Sequence, residues 1–192
     1  SSILFDERLK IKNSSSNDFI INDIDLIFEK EKKVDALICN FDLQILLVNN
    51  AQNLYKNIYK ILNKNGFFCF NLLTLNSFTT LQKIFLEIDD HVFNGAQLRF
   101  GPFHNIPNII SELNDNKFKE VVVSTEKLEV NYKSLNKIRK DFKELGISNY
   151  YKEKSRTNKK FYKKTTSLFK ELVAKHDYIP VEIEISTFTS WK

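Results

Sequence analysis

Six side chains in the first 71 residues have the type and spacing to hold a polar ligand: Asp6 and Glu7, Asn22 and Asp23, Asn40, and Asn71. They cluster at the ends of short apolar runs, which places them at the tips of strands, where open α/β sheets bind ligands. An acid after one strand can accept from both hydroxyls of a ribose diol, and an acid or amide after the next can meet an adenine amino group. The set therefore suits an adenosine ligand. Taken singly, Asp and Asn are also common loop and cap residues. Further along, Arg99 lies in the aromatic-rich stretch from Phe93 to Phe103, and the chain has only three other arginines, Arg8, Arg139 and Arg156. A planar guanidinium there could hold a carboxylate through two parallel hydrogen bonds, although a lone loop arginine is also commonly a solvated one. Tyr132, at the end of a later apolar run, could assist such a substrate or be a core tyrosine with one satisfied hydroxyl.

Other chemistry has less to build on. His91, His104 and His176 show no i, i+4 pairing, so no helical zinc site is expected. Cys39 and Cys69 sit inside apolar runs and form neither a disulfide framework nor a CxxC pair. They are expected as buried, reduced thiols on neighbouring strands, which suits a bacterial cytoplasm or an organelle matrix. No run approaches the roughly 18 apolar residues of a membrane span.

The elements that must position these residues follow from periodicity. Short apolar runs at 2–5, 19–21, 34–39 and 67–73 read as buried strands. Leu54, Ile58, Ile61 and Leu62 recur at helical spacing, with Asn65 and Gly66 as the expected C-terminal cap. Helices are expected at 77–88, 106–116, 134–144 and 157–175, and late strands at 121–130 and 181–188 that alternate as an exposed edge would. Alternating strands and helices predict an α/β open sheet, mostly parallel and covered on both faces. The expected organisation is one domain over 1–192, with a cofactor-binding half at 1–75 and a substrate half at 76–192.

Charge is unevenly spread. Of 192 residues, 42% are hydrophobic and 28% charged, the composition of a globular chain, with a formal charge of +5. Residues 133–175 hold fourteen Lys and Arg against four acids, a local +10 that leaves −5 for the rest. An acidic partner is the expectation for that region, although Lys-rich helix faces can also be merely solvated.

The order strand, acid, strand, Asn-Asp, strand, Asn, helix, Asn-Gly, strand resembles the second half of a class I S-adenosylmethionine-dependent methyltransferase. The stretches "VDALICNFDLQILLVNN", "FGPFHNIPNIISELNDNKF", the Leu-Gly-x-Ser-Asn segment at 145–149 and the terminal Trp191-Lys192 resemble one family in particular. That family contains the malonyl-acyl-carrier-protein O-methyltransferase of biotin synthesis and the mitochondrial complex I assembly methyltransferase. The resemblance implies a Rossmann-like sheet whose first strand and glycine-rich turn would precede Ser1, with a basic helical insertion at 133–175 before the last strand. It implies S-adenosylmethionine as cofactor, with Asp6 or Glu7 on the ribose, Asn22 and Asp23 beside the adenine, and Asn40 toward the methionine portion. For a malonyl substrate, Arg99 and Tyr132 would be the substrate contacts and the basic region the docking face for an acyl carrier protein. A protein-modifying or assembly role and a non-catalytic role are the alternatives, and a nucleic-acid methyltransferase is the weaker one.

Overall fold

Aromatic and β-branched runs punctuated by Asn and Gly fold as strands, and the stretches with 3.6-residue apolar spacing fold as helices between them. A computed structural model describes residues 3–5, 19–21, 33–41, 43–101, 103–144 and 155–192. In chain order the elements are β1 (Ile3–Phe5), β2 (Phe19–Ile21), β3 (Val34–Asn40), α1 (Leu43–Ile61), β4 (Leu62–Leu73), α2 (Thr79–Phe93), α3 (Ile106–Asp115), β5 (Lys119–Tyr132), α4 (Leu135–Glu144), α5 (Lys159–His176) and β6 (Ile179–Trp191). β1 and β2 pair in parallel as a two-stranded sheet, and the other four strands form a sheet in the order β3-β4-β6-β5. β3 and β4 are parallel, whereas β6 runs antiparallel to β4 with Phe188 opposite Phe70. The expected α/β sheet is thus present, with its last strand reversed and inserted beside β4.

The chain divides into two units. The first comprises Ser1–Thr74, His104–Glu126 and Ile185–Lys192. Its core is built on β4, where Phe68, Phe70 and Leu72 alternate inward while Phe67, Cys69 and Asn71 stay half-buried. Phe70 stacks between Phe68 at 4.6 Å and Phe188 at 5.0 Å, and Leu54 and Ile58 of α1 and Ile109 and Leu113 of α3 close over them. Burying one such aromatic or aliphatic side chain is worth about 1.5–3 kcal/mol, so this cluster fixes which end of each strand faces outward.

The second unit comprises Leu75–Phe103 and Lys127–Glu184. Fully buried Phe78 packs against Phe100, Phe103 and Phe142, and Phe85 of α2 meets Phe161 and Phe169 of α5. Glu182 of β6 caps α2, its carboxylate accepting from the Thr80 amide at 3.0 Å and from the Thr80 hydroxyl. Burial works to raise the Glu182 pKa, but these hydrogen bonds outweigh it and hold the carboxyl below its ordinary value.

Four expectations are corrected. α1 begins at Leu43, eleven residues before the spacing at Leu54 reveals it, because the unbroken apolar run Ile45–Val48 shows no period. Asn65 and Gly66 do not cap that helix: it ends at Ile61, and both lie within β4, with Asn65 at φ 64°. Gly66 is needed for close packing, since a Cβ there would sit 3.0 Å from the carbonyls of Asn63 and Asp35. β5 is an exposed edge, but β6 is not; its alternation arises because Ser186 and Glu184 are buried, Ser186 sharing a 2.9 Å hydrogen bond with Thr125. Cys39 and Cys69 are free thiols on neighbouring strands, as expected, but only half-buried.

Candidate functional site

In the first unit, β1 and β2 end level, with Phe5 opposite Ile21, immediately before Asp6 and Asn22. Asp6, Glu7, Asn22 and Asp23 themselves lie outside the described residues. β3 and β4 bring Asn40 and Asn71 face to face in register. The Nδ2 of Asn71 donates to Oδ1 of Asn40 at 2.6 Å, and the Phe41 amide donates to Oδ1 of Asn71 at 2.8 Å. Phe41 reaches that bond in the left-handed region, at φ 62°, which a phenylalanine adopts only when surrounding contacts hold it there. Asn40 is therefore an exposed polar end to its strand, braced from the next strand.

Two further groups gather where β4 ends. Gln44, buried in the first turn of α1, accepts from the Leu73 amide at 3.3 Å. Thr74 forms an isolated parallel bridge with His104. Burial lowers the His104 pKa, with a hydrogen bond to the Gln44 backbone partly opposing it, so the imidazole is neutral at pH 7. Its Nε2 is buried and has no hydrogen-bond partner among the described residues. Neither residue stands out in the sequence: each becomes relevant only because β4 delivers its C-terminal end to both.

Arg99 and Tyr132 belong to the second unit. Arg99 grips Asp89 of α2 from two nitrogens, with Nε 2.9 and 2.8 Å from the two carboxylate oxygens and Nη2 closing the fork. Both side chains are buried, at 9% and 1% exposed. The guanidinium also donates to the Arg156 carbonyl at 3.0 Å and lies 3.9 Å from the Phe161 ring centre. Its charge is thus matched by an internal carboxylate. Asp89 was legible in retrospect: it falls on the apolar stripe Leu81, Phe85, Ile88, where an acid requires a cation. The Tyr132 hydroxyl donates to Asp141 at 3.1 Å; burial and that bond raise its pKa. Asp141 is also held by Lys137 at 2.8 Å, whose hydrogen bond keeps the carboxyl below its ordinary value.

Arg99 nonetheless walls a cleft of about 340 Å³, lined also by Gln82, Lys83, Leu86 and Leu98. Leu86 and Leu98 are more than half exposed there, and Lys83 makes no ion pair among the described residues. The cleft thus combines exposed apolar side chains with a lysine that has no ion-pair partner among the described residues. Along α5 of the same unit, Lys159, Lys160, Lys163 and Lys170 likewise make no ion pair among the described residues, whereas Lys137 and Lys140 of α4 pair with Asp141 and Glu144. Among the described residues no three His, Cys, Asp or Glu side chains gather as metal ligands would, and no helix is long and apolar enough to cross a membrane.

No family model matches the chain. It is 23% identical over 165 residues to the arginine-hydroxylase NDUFAF5, mitochondrial, of Dictyostelium discoideum, which covers 84% of this chain and 37% of that protein. The chain thus spans little more than a third of the curated relative it matches. Among solved structures, the YcgJ protein of Bacillus subtilis superposes with a TM-score of 0.52 at 9% identity, over 92% of this chain and 72% of that one. A SAM-dependent methyltransferase of Archaeoglobus fulgidus aligns at 12% identity with a TM-score of 0.45, over 91% of this chain and 67% of that one.

Proposed function

We propose that this chain, which has the Rossmann-like fold of the class I S-adenosylmethionine-dependent methyltransferases, binds that cofactor at the carboxyl ends of its parallel strands and serves methyl transfer to an acceptor carried on a protein. The observation that carries the reading is the alignment of strand ends. β1 and β2 finish level just before Asp6 and Glu7 and before Asn22 and Asp23, and β3 ends on the exposed, braced Asn40. Carboxylates suit a ribose diol and an adenine amino group, and an amide suits the amino-acid end of the cofactor. When bound, S-adenosylmethionine supplies an electrophilic methyl group, so no nucleophile of the chain is required. The chain's own residues bind and orient: Asp6 or Glu7 and Asn22 with Asp23 hold the nucleoside, and Asn40 holds the far end.

The finer reading is O-methylation of a malonyl-acyl-carrier-protein carboxylate in the cytoplasm, with α4, α5 and the basic segment 133–175 docking the acidic carrier. The lysines of α5 that make no ion pair among the described residues support the docking. Because Arg99 is matched by Asp89, the carboxylate in that reading falls to Lys83 in the same cleft, or to a face of Arg99 that Asp89 leaves open. The likeness to a mitochondrial arginine-hydroxylase favours a second reading, in which the substrate is a protein subunit of respiratory complex I in an organelle matrix.

Calorimetric titration of the full gene product with S-adenosylhomocysteine tests the common part, and absence of binding removes the methyltransferase reading. Incubation with methyl-labelled cofactor and malonyl-carrier protein then separates the two finer readings. A base-labile labelled ester on the carrier supports the first, whereas label only on a side chain of an added complex I subunit supports the second.

A further inference from the structure

The hydrogen bonds at the end of β3 fix the direction in which Asn40 faces a ligand. A peptide nitrogen can only donate, so the Asn71 atom that meets the Phe41 amide at 2.8 Å is the oxygen, Oδ1. Asn71 consequently turns its Nδ2 toward Asn40, and the Asn40 atom 2.6 Å away accepts and is Oδ1. What remains of Asn40 is Nδ2, exposed at the strand tip and without a hydrogen bond among the described residues. An asparagine amide can turn either its oxygen or its nitrogen to a ligand; here the oxygen is engaged by Asn71 and the nitrogen is the free end. Phe41 itself is left-handed, at φ 62°, a conformation a phenylalanine keeps only where surrounding contacts hold it.

We propose that Asn71 is a positioning residue that locks Asn40 as a hydrogen-bond donor, so that the ligand atom met at the end of β3 is an acceptor, a carboxylate or carbonyl oxygen, and not an amine. This rests on the nucleoside-type site proposed above and adds to it which end of the ligand Asn40 recognises. An amino acid moiety would therefore lie with its carboxylate toward β3 and its ammonium elsewhere.

The test begins without ligand. Side-chain amide exchange, followed by nitrogen-edited NMR on the full gene product, should show the Asn71 amide protected and that of Asn40 exchanging freely. In Asn71→Asp the Phe41 bond survives but position 71 can no longer donate, so Asn40 should flip and its own amide become protected. Protection of Asn40 in the unaltered protein overturns the proposal, whatever the ligand results. Binding is then compared for S-adenosylhomocysteine and for methylthioadenosine, which lacks the amino-acid end. Asn71→Asp should weaken S-adenosylhomocysteine roughly tenfold or more, the scale of one hydrogen bond to a charged group, and leave methylthioadenosine within about twofold. Asn71→Ala, which frees Asn40 without adding charge, should cost S-adenosylhomocysteine roughly threefold, consistent with a lost preference and not with repulsion. A gain in S-adenosylhomocysteine affinity for Asn71→Asp, or equal losses for both compounds, overturns the proposal. Failure of the unaltered protein to bind either compound instead removes the cofactor reading, while the exchange data still decide how Asn40 is held.

Discussion

Replacing Arg99 by Ala should unfold the second unit far more readily than it alters ligand recognition. The carboxylate of Asp89 is 1% exposed and is held by the Arg99 fork at 2.8 and 2.9 Å. Without the guanidinium a charge is left buried and uncompensated, which costs about 3–5 kcal/mol. The stacking on Phe161 at 3.9 Å and the bond to the Arg156 carbonyl are lost as well, and they tie the loop bearing Leu98 to the start of α5. Arg99→Lys keeps the charge but forfeits the fork and the flat stacking surface, for an expected loss of about 1–3 kcal/mol. The double replacement Asp89→Leu with Arg99→Met removes both charges and should recover most of the deficit, because apolar groups of similar volume often substitute for a buried pair. Urea denaturation followed by far-ultraviolet circular dichroism measures all three, with the slope m serving as a check that the transition stays two-state. A loss below about 1 kcal/mol for Arg99→Ala would refute the reasoning. If that small loss came with a KM raised only for carboxylate-bearing acceptors, Arg99 would be a substrate clamp after all.

Reversing Lys159, Lys160, Lys163 and Lys164 to Glu should slow association with an acidic carrier protein and flatten its salt dependence while leaving cofactor affinity unchanged, as stopped-flow and calorimetry would show. His104 is held below its ordinary pKa by burial, so the unfolded chain takes up its proton first; its stabilising share is complete above about pH 6.5 and is lost as pH falls from there. His104→Gln should therefore lose less of its urea midpoint between pH 7 and pH 5 than the unaltered protein does. Gly66→Ala drives a Cβ against two carbonyl oxygens at 3.0 Å and should destabilise by about 1–3 kcal/mol in the same assay. Cys39→Ala and Cys69→Ala should each leave any methyl transfer within a few fold, since a loss of roughly a thousandfold would amount to about 4 kcal/mol of transition-state stabilisation and mark a catalytic thiol.

The order of strands and helices was readable because each element carries its own period and its own breakers. The strand expected at 67–73 ends at Leu73 but starts five residues earlier, at Leu62, and Ile106 to Asp115 and Lys159 to His176 lie within a few residues of where spacing alone puts them. Position within the sheet was not readable in the same way. The polar-apolar alternation of β6 is the same whether its polar side faces water or a buried partner such as Thr125, and only the pairing with β4 decides. The site residues divide along the same line. The place of Asn40 was readable because being last on a strand is a local property, and the strand indeed ends on it. What Asn40 does there depends on Asn71, thirty-one residues away, and on a left-handed Phe41 that no propensity favours. Arg99 shows the reverse case: its residue type and loop suggested a clamp for a substrate carboxylate, yet a carboxylate from α2, ten residues earlier, already occupies the fork. Spacing along a chain reports which groups can reach a strand end or a loop; it is silent on which partner gets there first, and for an ionic or amide side chain that partner determines whether it meets a ligand or holds the fold.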